Sequence, residues 1–235
     1  MSTLAQRALN EGISLTEEQV SLFEKYRELI LEWNTRIDIT KITDPKEVDN
    51  KHFLDSLSVF RILDPKPDMT VIDIGTGGGF PGIPMKIISP FLKITLLDSL
   101  GKRVRFLQEV IKELDLPETT AIQGRAEEFF RERKYREKYD IAVARAVAPL
   151  PTLVEYCLPA VKVGGVFLAM KGPTAREEIM HSIHAIRKLG GEIEKEDQFT
   201  WTEEKFQRTL ILIRKIKATP LLYPRGQGKP RKNPL

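Results

Sequence analysis

A chain of 235 residues, 41% hydrophobic and 30% charged with a net charge of +4, is long enough to bury a full core. No stretch approaches 18 consecutive apolar residues, and the opening MSTLAQRALNEG has no signal-like apolar centre. A lone Cys157 excludes an intrachain disulfide, and with three histidines it supplies no metal-ligand cluster, so a cytoplasmic protein without metal or membrane attachment is expected.

Residues 1–63 read as a helical extension. Thr16 and Gln19 have capping-box spacing, with Leu15 set to pack on Val20. Leu22, Phe23, Tyr26, Leu29, Ile30 and Trp33 then recur at helical period, a stripe that must be buried. Asp44 caps a further helix with Pro45 at its first position and Val48, Leu54, Leu57 and Phe60 inside. His52, Asp55 and Ser56 share that helix, either as a polar network facing a cleft or as ordinary surface. Residues 64–217 alternate strand and helix, which predicts a mostly parallel sheet with strands near 70–74, 93–98, 119–123, 139–144 and 165–171 and a final pair near 192–199 and 208–216. EEFFRERKYREKYD is expected to be a solvated helix with Phe129 and Phe130 inside, and His181 and His184 to lie on a solvated helix face. Residues 218–235 form a basic tail with four prolines, expected to be extended and poorly self-structured.

The run VIDIGTGGGFPG, Val71 to Gly82, carries the chemistry. A β-branched strand ends at Asp73 and breaks into Gly75, Gly77, Gly78 and Gly79, and the next strand ends in Asp98. Glycines let the backbone pass close to a ligand, and an acid at the following strand end accepts hydrogen bonds from ribose hydroxyls. Two registers compete. Gly77, Gly79 and Gly82 match a dinucleotide fingerprint, but it begins two residues late and puts Pro81 where a pyrophosphate needs amides. Asp73, Gly75, Gly77 and Gly79 match a loop for S-adenosyl-L-methionine, which has no phosphate and is the favoured reading.

Charge is uneven. The last 31 residues hold nine Lys or Arg and no acid, and the first 204 carry 28 basic against 33 acidic residues. A basic tail on a slightly acidic body points to RNA, with a solubilising extension as the plain alternative. Lys102, Arg103 and Arg105 open the helix after Asp98, where the dipole disfavours cations unless an anion compensates them. Arg125, Arg145 and Lys171 follow the ends of the third, fourth and fifth strands, on the rim where open α/β sheets bind ligands.

The chain resembles the bacterial small-subunit rRNA methyltransferases of the RsmG or GidB family over nearly its whole length. The shared blocks are WN at Trp33–Asn34, HFLDSL at His52–Leu57, DIGTGGGFPGIP at Asp73–Pro84, LLDSLGKRVRFL at Leu96–Leu107, GRAEE at Gly124–Glu128, ARA at Ala144–Ala146, MKG at Met170–Gly172 and YPR at Tyr223–Arg225. The resemblance implies a Rossmann-like class I methyltransferase that methylates guanine N7 in 16S rRNA, within the 30S subunit or an assembly intermediate. It also implies cofactor contacts at Gly75, Phe80, Ala126, Glu127 and Arg145, to which the loop reading adds Gly77 and Asp98. Arg145, Lys171 and His52 are the candidate catalytic residues, and Lys102, Arg103, Arg125, Arg225 and Arg231 the candidate RNA contacts. Asp38 stands where the family pattern has a second asparagine. Guanine N7 has an in-plane lone pair and no proton, so alignment rather than a base is required, and any nearby cation should meet O6 or a phosphate. The base must come from a loop or be flipped from its stack. A small-molecule methyltransferase and a non-catalytic RNA-binding assembly factor are the alternatives.

Overall fold

A computed structural model describes residues 3–201 and 206–235. The expected strands form β1 (Thr70–Ile74), β2 (Lys93–Asp98), β3 (Thr119–Gln123), β4 (Tyr139–Arg145), β5 (Val161–Lys171), β6 (Gly191–Thr200) and β7 (Gln207–Lys215). They make one seven-stranded sheet of order β3-β2-β1-β4-β5-β7-β6. The first five strands are parallel, and β7 inserts antiparallel between β5 and β6. The strand order reverses between the adjacent strands β1 and β4, and the crevice there is where open sheets bind ligands.

Period-2 alternation sends successive strand residues to opposite faces. Val71, Leu96, Val143 and Leu168 point into one core, and Ile72, Leu97, Ala142 and Phe167 into the other. The first face is covered by α1 (Thr3–Asn10), α2 (Glu17–Asn34), a helical path over residues 45–61, α5 (Gly82–Ile88) and α6 (Gly101–Glu113). The second is covered by α7 (Ala126–Phe129), α8 (Leu150–Cys157) and α9 (Ala175–Lys188). The N-terminal helices therefore share one continuous core with the sheet. The capping box forms at α2, where the Thr16 hydroxyl accepts from the Gln19 amide and the Gln19 side chain from the Thr16 amide. Phe23, Tyr26 and Ile30 are fully buried from that helix, each stabilising the fold by about 1.5–3 kcal/mol.

Three local expectations are corrected. The helix opened by Asp44 and Pro45 is not uniform: α3 (Pro45–Val48) widens into a π-helical turn over Asp49–Leu54, then continues as α4 (Asp55–Leu57) and a 3₁₀ turn over Ser58–Arg61. That path is buried on several sides, so Asp49, Asn50, Asp55, Ser56 and Ser58 are buried along with Phe53 and Leu57. The run EEFFRERKYREKYD is helical only to Phe129 in α7. Phe129 and Phe130 are both buried, and Tyr135 folds back to stack on Phe129 at 3.8 Å, which a straight helix does not allow. The basic tail is not an extended arm: Tyr223 and Pro230 are buried against the domain, and α10 (Lys229–Lys232) packs on α8. Among the described residues no helix is long and apolar enough to cross a membrane, and no three His, Cys, Asp or Glu are placed to hold a metal ion.

Candidate functional site

The glycine turn is held from below by two acids. The Asp73 carboxylate is fully buried, and its Oδ2 accepts from the Thr76 hydroxyl at 2.6 Å and the Gly82 amide at 2.8 Å. Asp98 Oδ2 accepts from the Gly77 amide and Oδ1 from the Leu100 amide, both at 2.9 Å. Gly75, Gly77 and Gly79 have φ of +70°, +60° and +98°. At Gly75 a Cβ would also lie 2.7 Å from Val147 Cγ2, so both conformation and space require glycine there. From the N-terminal side, the Tyr26 hydroxyl donates to the Gly78 carbonyl.

This arrangement decides between the two loop registers. At the start of α5 the Gly82 amide is bonded to Asp73, those of Ile83 and Met85 to the Gly79 and Pro81 carbonyls, and Pro84 has none. A pyrophosphate therefore finds no amide at that helix start. A ligand without phosphate fits. A cavity of about 340 Å³ at the C-terminal edge of the sheet is lined by Gly75, Asp98, Gly124, Ala126, Glu127 and Tyr156, within the usual range of roughly 300–1,000 Å³ for small-molecule sites. Asp73 Oδ1, buried beneath the turn, has no partner among the described residues, and burial lifts this carboxyl to about 6 against the hydrogen bonds from Thr76 and Gly82. An orphaned acceptor of this kind suits the ammonium end of a methionyl group, reached directly or through water.

A second cavity, of about 660 Å³, lies across the segment 146–148 from the first, and both are walled by Ala146, Val147 and Ala148. Ala146 follows β4 with φ +56°, a left-handed conformation costing a non-glycine residue about 1 kcal/mol, of the sort found at functional turns. The second cavity is lined by His52, Arg145, Met170, Lys171, Phe206 and Arg208, among others. Asp55, 0% exposed, organises it: Oδ2 accepts from Arg145 Nη1 at 2.9 Å and Oδ1 from Arg208 Nε at 2.7 Å. Arg145 also lies 4.9 Å over the Phe80 ring, on which His52 stacks at 4.5 Å.

His52 is neutral at physiological pH. Burial, with Arg145 acting in the same direction, lowers its pKa to about 4. Arg145 Nη2 meets Nδ1 at 3.3 Å, so Nδ1 carries the lone pair and Nε2–H faces the Thr40 hydroxyl at 2.7 Å. Thr40 is set by the WN block, because Asn34 Oδ1 accepts from the amides of Ile39 and Thr40. Asp38, the departure from the family pattern, points into solvent 3.9 Å from Lys102.

The candidate residues separate into groups. Gly75, Asp98, Ala126 and Glu127 line the first cavity with Arg103, Arg125 and Arg231. Arg145, Lys171 and His52 line the second, and Phe80 lies beneath Arg145 and His52. Gly77 lends its amide to Asp98 without appearing in either lining. Lys171 is 9% exposed, and its ammonium donates to the Ala148 carbonyl at 2.6 Å and to Glu178 at 2.7 Å, so it clamps the wall between the cavities. Arg125 pairs with Glu127 at 2.8 Å, and Lys102 stands apart on the outer start of α6. Arg225, expected to meet RNA, has its guanidinium bonded to the fully buried Glu155 at 2.7 Å and to the Asn233 carbonyl. Arg208, Phe206 and Tyr156 escaped the sequence reading. Only Glu155, a lone acid in the apolar LPTLVEYC, gave a signal that a buried cation must face it.

Comparison with known proteins is decisive on family. The family model described as rRNA small subunit methyltransferase G matches residues 19–209. The chain belongs to this family. A curated relative from Acetivibrio thermocellus, named ribosomal RNA small subunit methyltransferase G, is 50% identical over 99% of this chain and 95% of its own. Another of that name from Geobacillus thermodenitrificans is 45% identical over 100% of this chain and 99% of its own. The fold is shared with a SAM dependent methyltransferase from Aquifex aeolicus (TM-score 0.54, 18% identity, 74% of this chain and 96% of the other). It is shared too with a rRNA methylase from Streptococcus thermophilus (TM-score 0.51, 16% identity, 70% and 95%). This is thus an rRNA methyltransferase of the S-adenosylmethionine-dependent class I type, as the resemblance implied.

Proposed function

We propose that this chain methylates N7 of a guanine in 16S rRNA, presented by the 30S subunit or an assembly intermediate in the cytoplasm. The observation that carries the reading is the pair of cavities meeting at Ala146–Ala148, one ending on Asp98 and the other lined by Phe206, Met170 and Arg145. S-adenosylmethionine, held at Gly75, Asp98, Ala126 and Glu127, supplies a methyl group on a sulfonium, open to in-line attack. The protein's own part is alignment. Asp73 and Asp98 hold the glycine turn, Lys171 fixes the shared wall through Ala148, and Asp55 fixes Arg145. A guanine in the second cavity would meet the apolar surfaces of Phe206 and Met170, with Arg145 in reach of O6 or a phosphate.

Neither His52 nor Cys157 is suited to act as a base, which favours N7. Both nitrogens of His52 are engaged and its pKa near 4 leaves little basicity, while Cys157 is buried with its thiol pushed well up by burial. An exocyclic amine or ribose hydroxyl must lose a proton, and N7 has none to lose. The test is methylation of 30S particles and naked 16S rRNA, then borohydride and aniline treatment. Cleavage at one guanine, reduced by Arg145→Ala, is expected. Methyl incorporation without aniline-sensitive cleavage would overturn the N7 assignment.

A further inference from the structure

A segment with four prolines, two glycines and no acid reads as a free arm, yet residues 217–235 are tied to the domain at several points. Arg136 donates to the carbonyls of Thr219 at 2.7 Å, Tyr223 at 2.6 Å and Pro220 at 3.2 Å. The Thr219 amide donates to Glu137, and the Thr152 hydroxyl of α8 to the Pro230 carbonyl at 3.1 Å. The strongest tie is Arg225. Its amide and Nε donate to Glu155 Oε1 at 2.8 and 3.0 Å, and its Nη2 to Oε2 at 2.7 Å. A fork-shaped pairing to a fully buried carboxylate fixes orientation as well as attachment.

The location of that tie gives it a consequence. Glu155 precedes Tyr156, which lines the first cavity, and six residues after Arg225 the segment brings Arg231 to the same cavity. Arg103 lies 3.7 Å from Asp98 and Arg125 is paired with Glu127, but the Arg231 guanidinium has no hydrogen-bond or ion-pair partner among the described residues. A guanidinium offers donors only, so the ligand groups it can meet are ring nitrogens, hydroxyls or a carboxylate.

We propose that residues 219–233 are a strap forming the outer wall of the S-adenosylmethionine cavity, in which the Arg225–Glu155 pair is the latch and Arg231 the residue that meets the cofactor. This rests on assigning the first cavity to the cofactor. The strap's role is then cofactor affinity, in addition to whatever RNA its exposed Lys229 and Lys232 attract.

The experiment is calorimetric titration of full-length wild type, Arg231→Ala, Arg225→Ala and Arg225→Lys with S-adenosylhomocysteine, alongside steady-state kinetics and RNA filter binding. Arg231→Ala should weaken S-adenosylhomocysteine binding about 3- to 10-fold, on the scale of one lost hydrogen bond at a solvent-exposed position. Arg225→Ala should weaken it about 10-fold, with Arg225→Lys between that and wild type. KM for S-adenosylmethionine should rise with them while kcat at saturating cofactor stays within about twofold, a split that a general loss of fold does not give. Arg231 is exposed and without an ion-pair partner among the described residues, so its variant keeps the test valid if the latch variants unfold. A folded Arg231→Ala that binds S-adenosylhomocysteine within twofold of wild type, with or without a loss of RNA affinity, overturns the proposal. Wild type that fails to bind S-adenosylhomocysteine instead overturns the cofactor assignment beneath it.

Discussion

Replacing His52 should change the pH dependence of stability by a calculable amount. Its pKa is about 4 in the folded protein, against about 6.5 for an unperturbed histidine in the unfolded chain. Burial is the main cause and Arg145 adds to it, while Asp55 and a hydrogen bond with the Lys51 backbone oppose it. A lowered histidine pKa means the unfolded chain takes up the proton first. The stability contribution is therefore complete above pH 6.5 and is lost as pH falls toward 4. At pH 4.5 the unfolded state gains about 2.7 kcal/mol from protonation and the native state about 0.2, so linkage predicts a loss of about 2.5 kcal/mol. Residual solvent contact of the half-buried ring trims this to about 2 kcal/mol. Asp73 works the other way: burial lifts it to about 6, so its native state binds a proton early and gains stability as pH falls through the same window. The measurement must therefore be a difference. Urea unfolding of wild type and His52→Gln at pH 7.5 and 4.5 should show the wild-type advantage shrinking by about 2 kcal/mol at the lower pH. Glutamine can still accept from Arg145 and donate to Thr40, so the fold should survive. A difference that is the same at both pH values, within about 0.5 kcal/mol, would refute the assignment of a buried neutral imidazole.

Other substitutions test the remaining parts. Asp98→Ala should weaken S-adenosylhomocysteine binding by about 1–3 kcal/mol, since the proposed ribose contact and the anchor of the Gly77 amide would be lost together; an unchanged dissociation constant in a folded variant would remove Asp98 from the site. Asp55→Asn leaves Arg145 and Arg208 without their shared carboxylate and should cost about 3–5 kcal/mol in urea unfolding, with a fall in kcat. A loss below about 1 kcal/mol would show that the bridge is not organising the second cavity. Gly75→Ala meets both a positive φ and Val147, whereas Gly77→Ala, with φ +60° and open space, meets only the first. Thermal unfolding should therefore place Gly75→Ala clearly below Gly77→Ala, and equal midpoints would show that Val147 yields without cost.

What the sequence determined by itself is local and periodic. Alternating β-branched residues placed all seven strands to within a few residues, because side-chain period and turn residues act over short spans. Thr16 with Gln19, and the glycines between Asp73 and Gly82, were legible for the same reason: a cap or a left-handed turn is satisfied by neighbours in the chain. The tertiary structure alone decided which distant charges meet. Arg208 looked like one of nine C-terminal cations, and it reaches Asp55, 153 residues earlier, only because β7 runs antiparallel beside β5. Arg225 and Pro230, read as parts of an extended basic arm, are held by Glu155 and Thr152 of α8, a pairing that no local pattern encodes. The break after Phe129 likewise depends on burying two adjacent aromatic rings and on freeing Arg136 to bind the strap. Local hydrogen-bond and steric rules act within a few residues, whereas the meeting of buried ions is settled by topology, since each charge is stable in the interior only where the fold delivers its partner.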